Sequence, residues 1–124
     1  MTRKIMIVDD DAALRMTLEE ILIDEGQDVV SAEDGYQAVE LASEGQFALI
    51  FMDVQMPRMN GVDALVKIKE ILPDCAVVMM TGFSVDALVR RAMSEGALTI
   101  LIKPIAVEQM IEILEQVFSK TTPA

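Results

Sequence analysis

Six side chains able to do chemistry follow or end short apolar runs in this sequence. They are four aspartates, a threonine and a lysine: Asp9, Asp10, Asp11, Asp53, Thr81 and Lys103. Two carboxylates about 4 Å apart repel each other by about 4 kcal/mol at an effective dielectric constant of about 20. If these carboxylates meet in the fold, we expect one of them to be protonated or a divalent cation to lie between them.

The composition restricts which cation such a site could hold. There is no histidine and a single cysteine, Cys75, so a metal here would be a hard cation with oxygen ligands. Asp10 and Asp53, with waters and a loop carbonyl, suit the near-octahedral geometry of Mg²⁺. Lys103 then adds a second positive charge. A carboxylate flanked by Mg²⁺, an ammonium and a hydroxyl is equipped to accept a phosphoryl group by in-line attack.

These residues need a scaffold that gathers the ends of distant strands. Residues 49–52 are apolar without alternation and run into Asp53, which is typical of a strand buried on both faces of a parallel sheet. Strands are predicted at 4–8, 27–32, 47–52, 76–80 and 98–102, and helices at 12–25, 36–43, 62–72, from an N-cap at Ser84 to 94, and at 106–119. This alternation predicts a parallel sheet with helices on both faces. The carboxyl ends of its strands share one edge, where ligands bind.

Local signals mark helix ends and core positions. Gly26 is expected to stop the first helix, and Asn60-Gly61 to cap the third. Helical spacing predicts that the last helix buries Val107, Met110, Ile111, Leu114 and Phe118. Methionines near the predicted site are expected to fill the core: Met52, Met56, Met59, Met79 and Met80.

The totals restrict the class of protein. A chain of 124 residues predicts one domain, and one cysteine excludes an internal disulfide. The net charge of -11 argues against direct nucleic-acid binding. No apolar run approaches the roughly 20 residues needed to span a bilayer, and the run at 5–8 is too short for a signal peptide. We therefore expect a cytoplasmic protein without membrane contact.

The motifs together resemble the receiver domain of bacterial two-component response regulators, over nearly the whole chain. The matching pieces are Ile-Val-Asp-Asp-Asp at 7–11, Met-Asp-Val-Gln-Met-Pro at 52–57, Asn-Gly at 60–61, Met-Thr-Gly at 80–82 and Lys-Pro at 103–104. Their common order and spacing carry the resemblance. It implies a flavodoxin-like (βα)5 doubly wound α/β sandwich, with a five-stranded parallel sheet in the order 2-1-3-4-5. The domain is expected at 1–120, with 121–124 as a tail or the start of a linker.

The resemblance also implies a role for each matching position. Asp53 would be the phosphoacceptor and Lys103 the ion-pair partner of the phosphoryl group, while the Thr81 hydroxyl would move to a phosphoryl oxygen. The Mg²⁺ (or Mn²⁺) ion would be held by Asp10, Asp53 and the main-chain carbonyl of Gln55, with Asp9 holding metal-bound water. Asp11 is expected as a first-turn or N-cap carboxylate of the first helix. The Lys103-Pro104 peptide is expected to be cis.

The function so implied is that of a signalling phosphoacceptor that catalyses only its own phosphorylation and dephosphorylation. The expected donor is a histidine kinase or a histidine phosphotransfer protein, and a downstream effector domain or protein is a further expected partner. The surface of the fourth helix, fifth strand and fifth helix would switch. Candidate residues on that surface are Arg90, Arg91, Glu108, Gln109 and Glu112.

Several positions depart from the family pattern, one of them Ile105 directly after the Lys-Pro pair, where an aromatic is common. Ile100 stands three residues before Lys103, where the family has an aromatic switch residue, so inward rotation of a ring is not available here. Phe83 stands two residues after Thr81. It either impedes attacking water and lengthens the lifetime of the acyl phosphate, or packs on a helix without kinetic effect.

Two other functions fit parts of the sequence. A haloacid-dehalogenase-type phosphatase would use Asp9 as nucleophile in an Asp9-Asp10-Asp11 motif, but no acidic pair follows Lys103. A pseudo-receiver would be an interaction module that is never phosphorylated, which the intact set of acidic residues, Thr81 and Lys103 argues against.

Overall fold

The computed structural model describes residues 4–82 and 86–118, along which strands and helices alternate. The strands are β1 (Lys4–Val8), β2 (Asp28–Ala32), β3 (Leu49–Asp53), β4 (Ala76–Thr81) and β5 (Thr99–Ile102). The helices are α1 (Ala12–Asp24), α2 (Gly35–Glu44), α3 (Gly61–Ile71), α4 (Asp86–Ser94) and α5 (Val107–Phe118). The predicted alternation is confirmed. Ser84, Phe83 and the predicted tail at 121–124 lie outside the described residues.

The five strands form one parallel sheet in the order β2-β1-β3-β4-β5, as predicted. β3 lies at the centre and is buried along its whole length. Ile50 and Met52 belong to the core that faces α2, α3 and α4, whereas Leu49 and Phe51 belong to the core that faces α1 and α5. The apolar run at 49–52 does not alternate because each face of the strand meets its own layer of helices.

Side chains from the preceding loops cap three of the helices. Asp11 Oδ1 accepts from the N–H of Leu14 at 3.2 Å at the start of α1. Asp34 caps α2 and Asn60 caps α3 in the same way. Gly26 follows α1 with a φ of 82°, a left-handed conformation that glycine adopts freely. The predictions for Asp11, Gly26 and Asn60 are thus confirmed.

The predicted buried face of α5 is partly wrong. Val107 is 44% exposed, and Ile113 is buried although it was not predicted to be. The predicted and observed sets both follow helical spacing, so periodicity alone could not decide whether Ile111 or Ile113 turns inward. The core that α5 shares with the sheet and α1 takes in Ile113, so the packing of whole elements makes that choice.

The methionine prediction is confirmed, since the five methionines near the strand ends are all buried: Met52, Met56, Met59, Met79 and Met80. Within the described residues, no helix combines the length and the apolar character needed to cross a bilayer.

Candidate functional site

The sheet brings the predicted chemical residues to one edge. The register pairs residues at or next to the ends of neighbouring strands: Val8 with Met52, Asp53 with Met80, and Thr81 with Ile102. Asp9 and Asp10 therefore leave β1 where Asp53 ends β3, and Lys103 leaves β5 beside Thr81. The main-chain N–H of Lys103 donates to the carbonyl of Thr81 at 2.8 Å. Thr81 itself is 1% exposed.

Lys103 bridges two of the carboxylates. Its Nζ donates to Asp9 Oδ2 at 2.7 Å and to Asp53 Oδ2 at 3.1 Å. Charge-assisted hydrogen bonds of this length are among the stronger ones in proteins. One ammonium therefore joins the ends of β1, β3 and β5. The Lys103-Pro104 peptide that follows is cis, as the family resemblance implied.

Asp9 is fully buried, and each of its polar atoms has a partner. Its carboxylate oxygens accept from Lys103 Nζ and from the N–H of Asp11, the latter at 2.9 Å. Its main-chain N–H donates to the carbonyl of Ala32 at 3.2 Å, and its own carbonyl accepts from Arg15 Nη1 at 2.7 Å. This complete set of hydrogen bonds makes a buried carboxylate tolerable.

Asp53 is held from two sides at the end of β3. Oδ2 accepts from Lys103 Nζ, and Oδ1 accepts from the N–H of Gln55 at 3.1 Å. Burial raises the pKa of this carboxyl, and the nearby Asp9 charge raises it further, against the opposing effects of the Gln55 N–H and the Lys103 ammonium. The protein groups around Asp53 therefore disfavour its ionised form relative to a free aspartate.

The Lys103 ammonium is stabilised by its acidic neighbours. Burial lowers its pKa, but the hydrogen bond to Asp9 and the charge of Asp53 act in the opposite direction, and the resulting pKa lies above the usual value. Lys103 therefore stays protonated across the neutral pH range and supplies a fixed positive charge.

The remaining carboxylate, Asp10, completes a set of oxygens that fits a metal ion. Asp9, Asp10 and Asp53 each offer an oxygen, and the three atoms lie within 4.8 Å of one another. With all three carboxylates ionised, these groups and the Lys103 ammonium together carry two net negative charges. An oxygen that accepts one hydrogen bond keeps a second lone pair. Oxygen donors with two excess negative charges suit one hard divalent cation.

Gly61, the first residue of α3, lies directly against the backbone of Asp53. A Cβ there would overlap the carbonyl oxygen of Asp53 and would lie 2.9 Å from Met79 Cε. The N–H of Gly61 donates to the carbonyl of Val54 at 2.7 Å. The first turn of α3 can therefore pack directly on the end of β3 only with glycine at this position.

Comparison with known proteins decides the family. Residues 5–115 match the family model described as the response regulator receiver domain. The chain belongs to this family. It is 41% identical over 121 residues to the transcriptional regulatory protein PdtaR of Mycobacterium tuberculosis, covering 95% of this chain and 58% of that protein. It is 36% identical over 117 residues to the chemotaxis protein CheY of Bacillus subtilis, covering 94% of this chain and 98% of that one.

A solved structure agrees with this assignment. The CheY-like receiver domain protein from Methanospirillum hungatei JF-1 has a TM-score of 0.93 at 25% identity, over 97% of this chain and 96% of that one. The chain spans little more than half the length of PdtaR. It is thus a receiver domain of the two-component response regulators, with the fold that its motifs implied. The comparisons do not favour a haloacid-dehalogenase-type phosphatase.

Two contacts of this receiver domain were missed from the sequence. Arg15 holds the Asp9 carbonyl, and its other terminal nitrogen lies 3.9 Å from Glu33 Oε2. This contact could have been predicted, because Arg15 lies one turn after the N-cap of α1 and side chains in a helix lean towards its N-terminus. The second contact joins Arg58 to Asp34, and no local pattern indicates it.

Of the positions that depart from the family pattern, Ile100 is among the described residues and Phe83 is not. Ile100 is partly buried and packs against the same core as Leu88 of α4. The aliphatic side chain at this position is therefore in contact with the core, on the face that α4 covers. Phe83 lies outside the described residues, so its two readings stay predictions.

Proposed function

We propose that this receiver domain takes a phosphoryl group from a phosphohistidine onto Asp53 in a Mg²⁺-dependent reaction. The observation that carries the proposal is the position of the Asp53 carboxylate, which is bonded to the Lys103 ammonium and lies within one metal-sized cluster with Asp9 and Asp10. The donor would be a histidine kinase or a histidine phosphotransfer protein.

The geometry favours Asp53 over its neighbours as the nucleophile. Asp9 is fully buried, so it cannot meet an incoming phosphorus atom. Asp10 is exposed but lacks a contact with Lys103 among the described residues. Asp53 combines partial access, with 7% of the residue exposed, and an ammonium at hydrogen-bond distance.

The metal would be held by Asp9, Asp10, Asp53 and the main-chain carbonyl of Gln55, with Asp9 acting through metal-bound water. When bound, Mg²⁺ or Mn²⁺ would neutralise charge on the transferring phosphoryl oxygens. The cluster of three carboxylate oxygens and its two excess negative charges support this assignment. Binding would also favour the ionised, nucleophilic form of Asp53, which burial disfavours.

The transfer itself needs little from the chain beyond position and charge. An Asp53 oxygen donates an electron pair to phosphorus as the bond from phosphorus to the donor imidazole nitrogen breaks, and that nitrogen keeps the bonding pair. Lys103 remains protonated and offsets charge on the phosphoryl oxygens. The Thr81 hydroxyl, at the end of β4, would then bind one of those oxygens.

The surface formed by α4, β5 and α5 would carry the signal. Each of these elements exposes a large apolar side chain: Met93 is 46%, Ile102 51% and Val107 44% exposed. The polar candidates on this surface remain Arg90, Arg91, Glu108, Gln109 and Glu112. Ile100 lies in β5 and packs against the core on the face that α4 covers, so any coupling to Thr81 would work by repacking of an aliphatic side chain.

The test is incubation with a small-molecule phosphodonor and Mg²⁺, followed by intact-mass measurement and peptide mapping. Wild type is expected to gain one phosphoryl group on Asp53, and Asp53→Asn none. Asp11→Asn is the matched control, because Asp11 lies at the same edge but caps α1, and asparagine caps equally well. It should be labelled like wild type.

Other outcomes identify other functions. Label on Asp9 would replace the proposal with a phosphatase-type nucleophile. No mass gain on wild type, in the presence of Mg²⁺, would make the domain a pseudo-receiver. Transfer from a phosphorylated histidine phosphotransfer protein, lost in Asp53→Asn, tests the proposed class of donor directly.

A further inference from the structure

The loop between β3 and α3 contains a strained turn. Arg58 has a φ of 70°, and the N–H of Met59 donates to the carbonyl of Pro57 at 2.8 Å. A bond between residues two apart around a central positive φ is the rarer and more strained form of γ-turn. Side chains other than glycine avoid this region of φ. Gln55, whose N–H orients Asp53, stands three residues before Arg58 in the same loop.

An ion pair joins the centre of this turn to the start of α2. Arg58 Nη2 donates to Asp34 Oδ2 at 2.5 Å, where the Asp34 side chain is 13% exposed. The other oxygen of Asp34 accepts from the N–H of Gln37 at 2.8 Å and caps the helix. The carboxylate is therefore fixed by α2, and it offers the guanidinium a rigid partner.

The next residues along the chain reinforce this connection. The Met59 side chain lies directly against Gly35, since a Cβ on that glycine would come within 3.0 Å of Met59 Sδ and 3.2 Å of its Cβ. Arg58 on Asp34 and Met59 on Gly35 are thus successive contacts between the same two segments. The strained turn is held by both charge and packing.

We infer that the Arg58–Asp34 ion pair is a positioning device for the metal-binding loop, because it holds the strained turn that follows Gln55. The inference rests on the proposed function in one respect, the role of the Gln55 carbonyl as a metal ligand. Arg58 acts through the loop, and within the described residues its guanidinium contacts Asp34 and none of the clustered carboxylates. Strained backbone at functional sites persists where surrounding contacts hold it in place.

The experiment compares three variants with wild type. Asp34→Asn keeps the cap of α2 but removes the charge. Arg58→Gln removes the partner charge, and the third variant combines both changes. The control, Asp63→Asn, removes a different pair, in which Arg91 Nη2 lies 2.9 Å from Asp63 Oδ1. All are measured by calorimetric titration with Mg²⁺ and by hydrogen exchange of the Gln55 amide in metal-free protein.

Both single variants are expected to weaken Mg²⁺ binding by about 10-fold, the lower range for groups that orient metal ligands. The double variant should bind no more weakly than either single one, because the two residues act as a unit. The Gln55 amide should lose exchange protection in all three, while amides of the central β3 strand keep theirs. Asp63→Asn should match wild type.

The inference is overturned if both single variants bind Mg²⁺ like wild type, or if their effects add in the double variant. Unchanged protection of the Gln55 amide also overturns it. Because the exchange measurement needs neither metal nor phosphoryl donor, it fails or succeeds independently of whether Asp53 is phosphorylated.

Discussion

Lys103 and Asp53 are 50 residues apart in the chain, and Lys103 Nζ donates to Asp53 Oδ2 at 3.1 Å. The same nitrogen is 2.7 Å from Oδ2 of Asp9, which is 94 residues away. A single ammonium therefore offsets the charge of two carboxylates from different strands. The stability of the sheet edge and the proposed phosphoryl transfer would depend on the same contact.

Removal of this ammonium should destabilise the metal-free protein. In Lys103→Met, the Asp9 carboxylate stays buried without its charged partner, and breaking such a pair costs about 3 kcal/mol. Urea unfolding in EDTA measures the loss. Lys67→Met is the control, since Lys67 is exposed on α3, and it should change the free energy of unfolding by less than about 0.5 kcal/mol. Equal values for the two variants would contradict the prediction.

Asp53→Asn should be more stable than wild type at neutral pH without metal. The pKa of Asp53 is raised in the folded state, chiefly by burial, from a reference value of 3.8. The folded state therefore binds the Asp53 proton more tightly than the unfolded state does. The stability that this proton contributes is fully present below the unfolded pKa and is lost as pH rises through the folded pKa. The advantage of Asp53→Asn should widen from pH 4 towards neutral pH.

The measurement for Asp53 is urea unfolding across this pH range in EDTA. Asp74→Asn, at an exposed position after α3, is the control and should differ from wild type by the same amount throughout. If the curve for Asp53→Asn runs parallel to that of wild type, burial of Asp53 is not linked to protonation in the way we expect.

Metal binding should stabilise the fold. Mg²⁺ at 100 times its dissociation constant is expected to raise the free energy of unfolding by about 2.7 kcal/mol. Asp10→Asn removes an exposed carboxylate of the cluster and should lose most of this gain. Asp11→Asn should keep it, because Asp11 is engaged in the cap of α1. The measurement is urea unfolding with and without Mg²⁺ at constant ionic strength. An equal increase in the free energy of unfolding for Asp10→Asn and wild type would count against the site.

Gly61→Ala should destabilise the protein by about 3 kcal/mol or more. Its Cβ would overlap the backbone of Asp53, which cannot yield as a flexible side chain would. Gly45→Ala provides the comparison, since a Cβ there would lie 3.5 Å from the Phe47 ring, an ordinary contact. Thermal and urea unfolding report both changes. A small effect at Gly61 would mean that α3 can shift away from β3 without loss.

Much of the fold followed from short-range signals in the sequence. The unbroken apolar run before Asp53 predicted a strand buried on both faces, and Ile50 and Phe51 do face different cores. Caps such as Asn60 were also predictable, because a side chain that bonds to an N–H three residues later is a local event. The set of residues at the strand ends then followed from the parallel arrangement.

The sequence by itself determined the alternation of strands and helices, and the residue types that must collect at the carboxyl edge of the sheet. Only the tertiary structure decided that Asp9 is buried with every polar atom bonded, that Arg15 holds its carbonyl, and that Arg58 pairs with Asp34. The physical reason is range. Periodicity and caps are fixed by neighbours within one or two turns, whereas the partner of each charge at the edge depends on how whole elements pack.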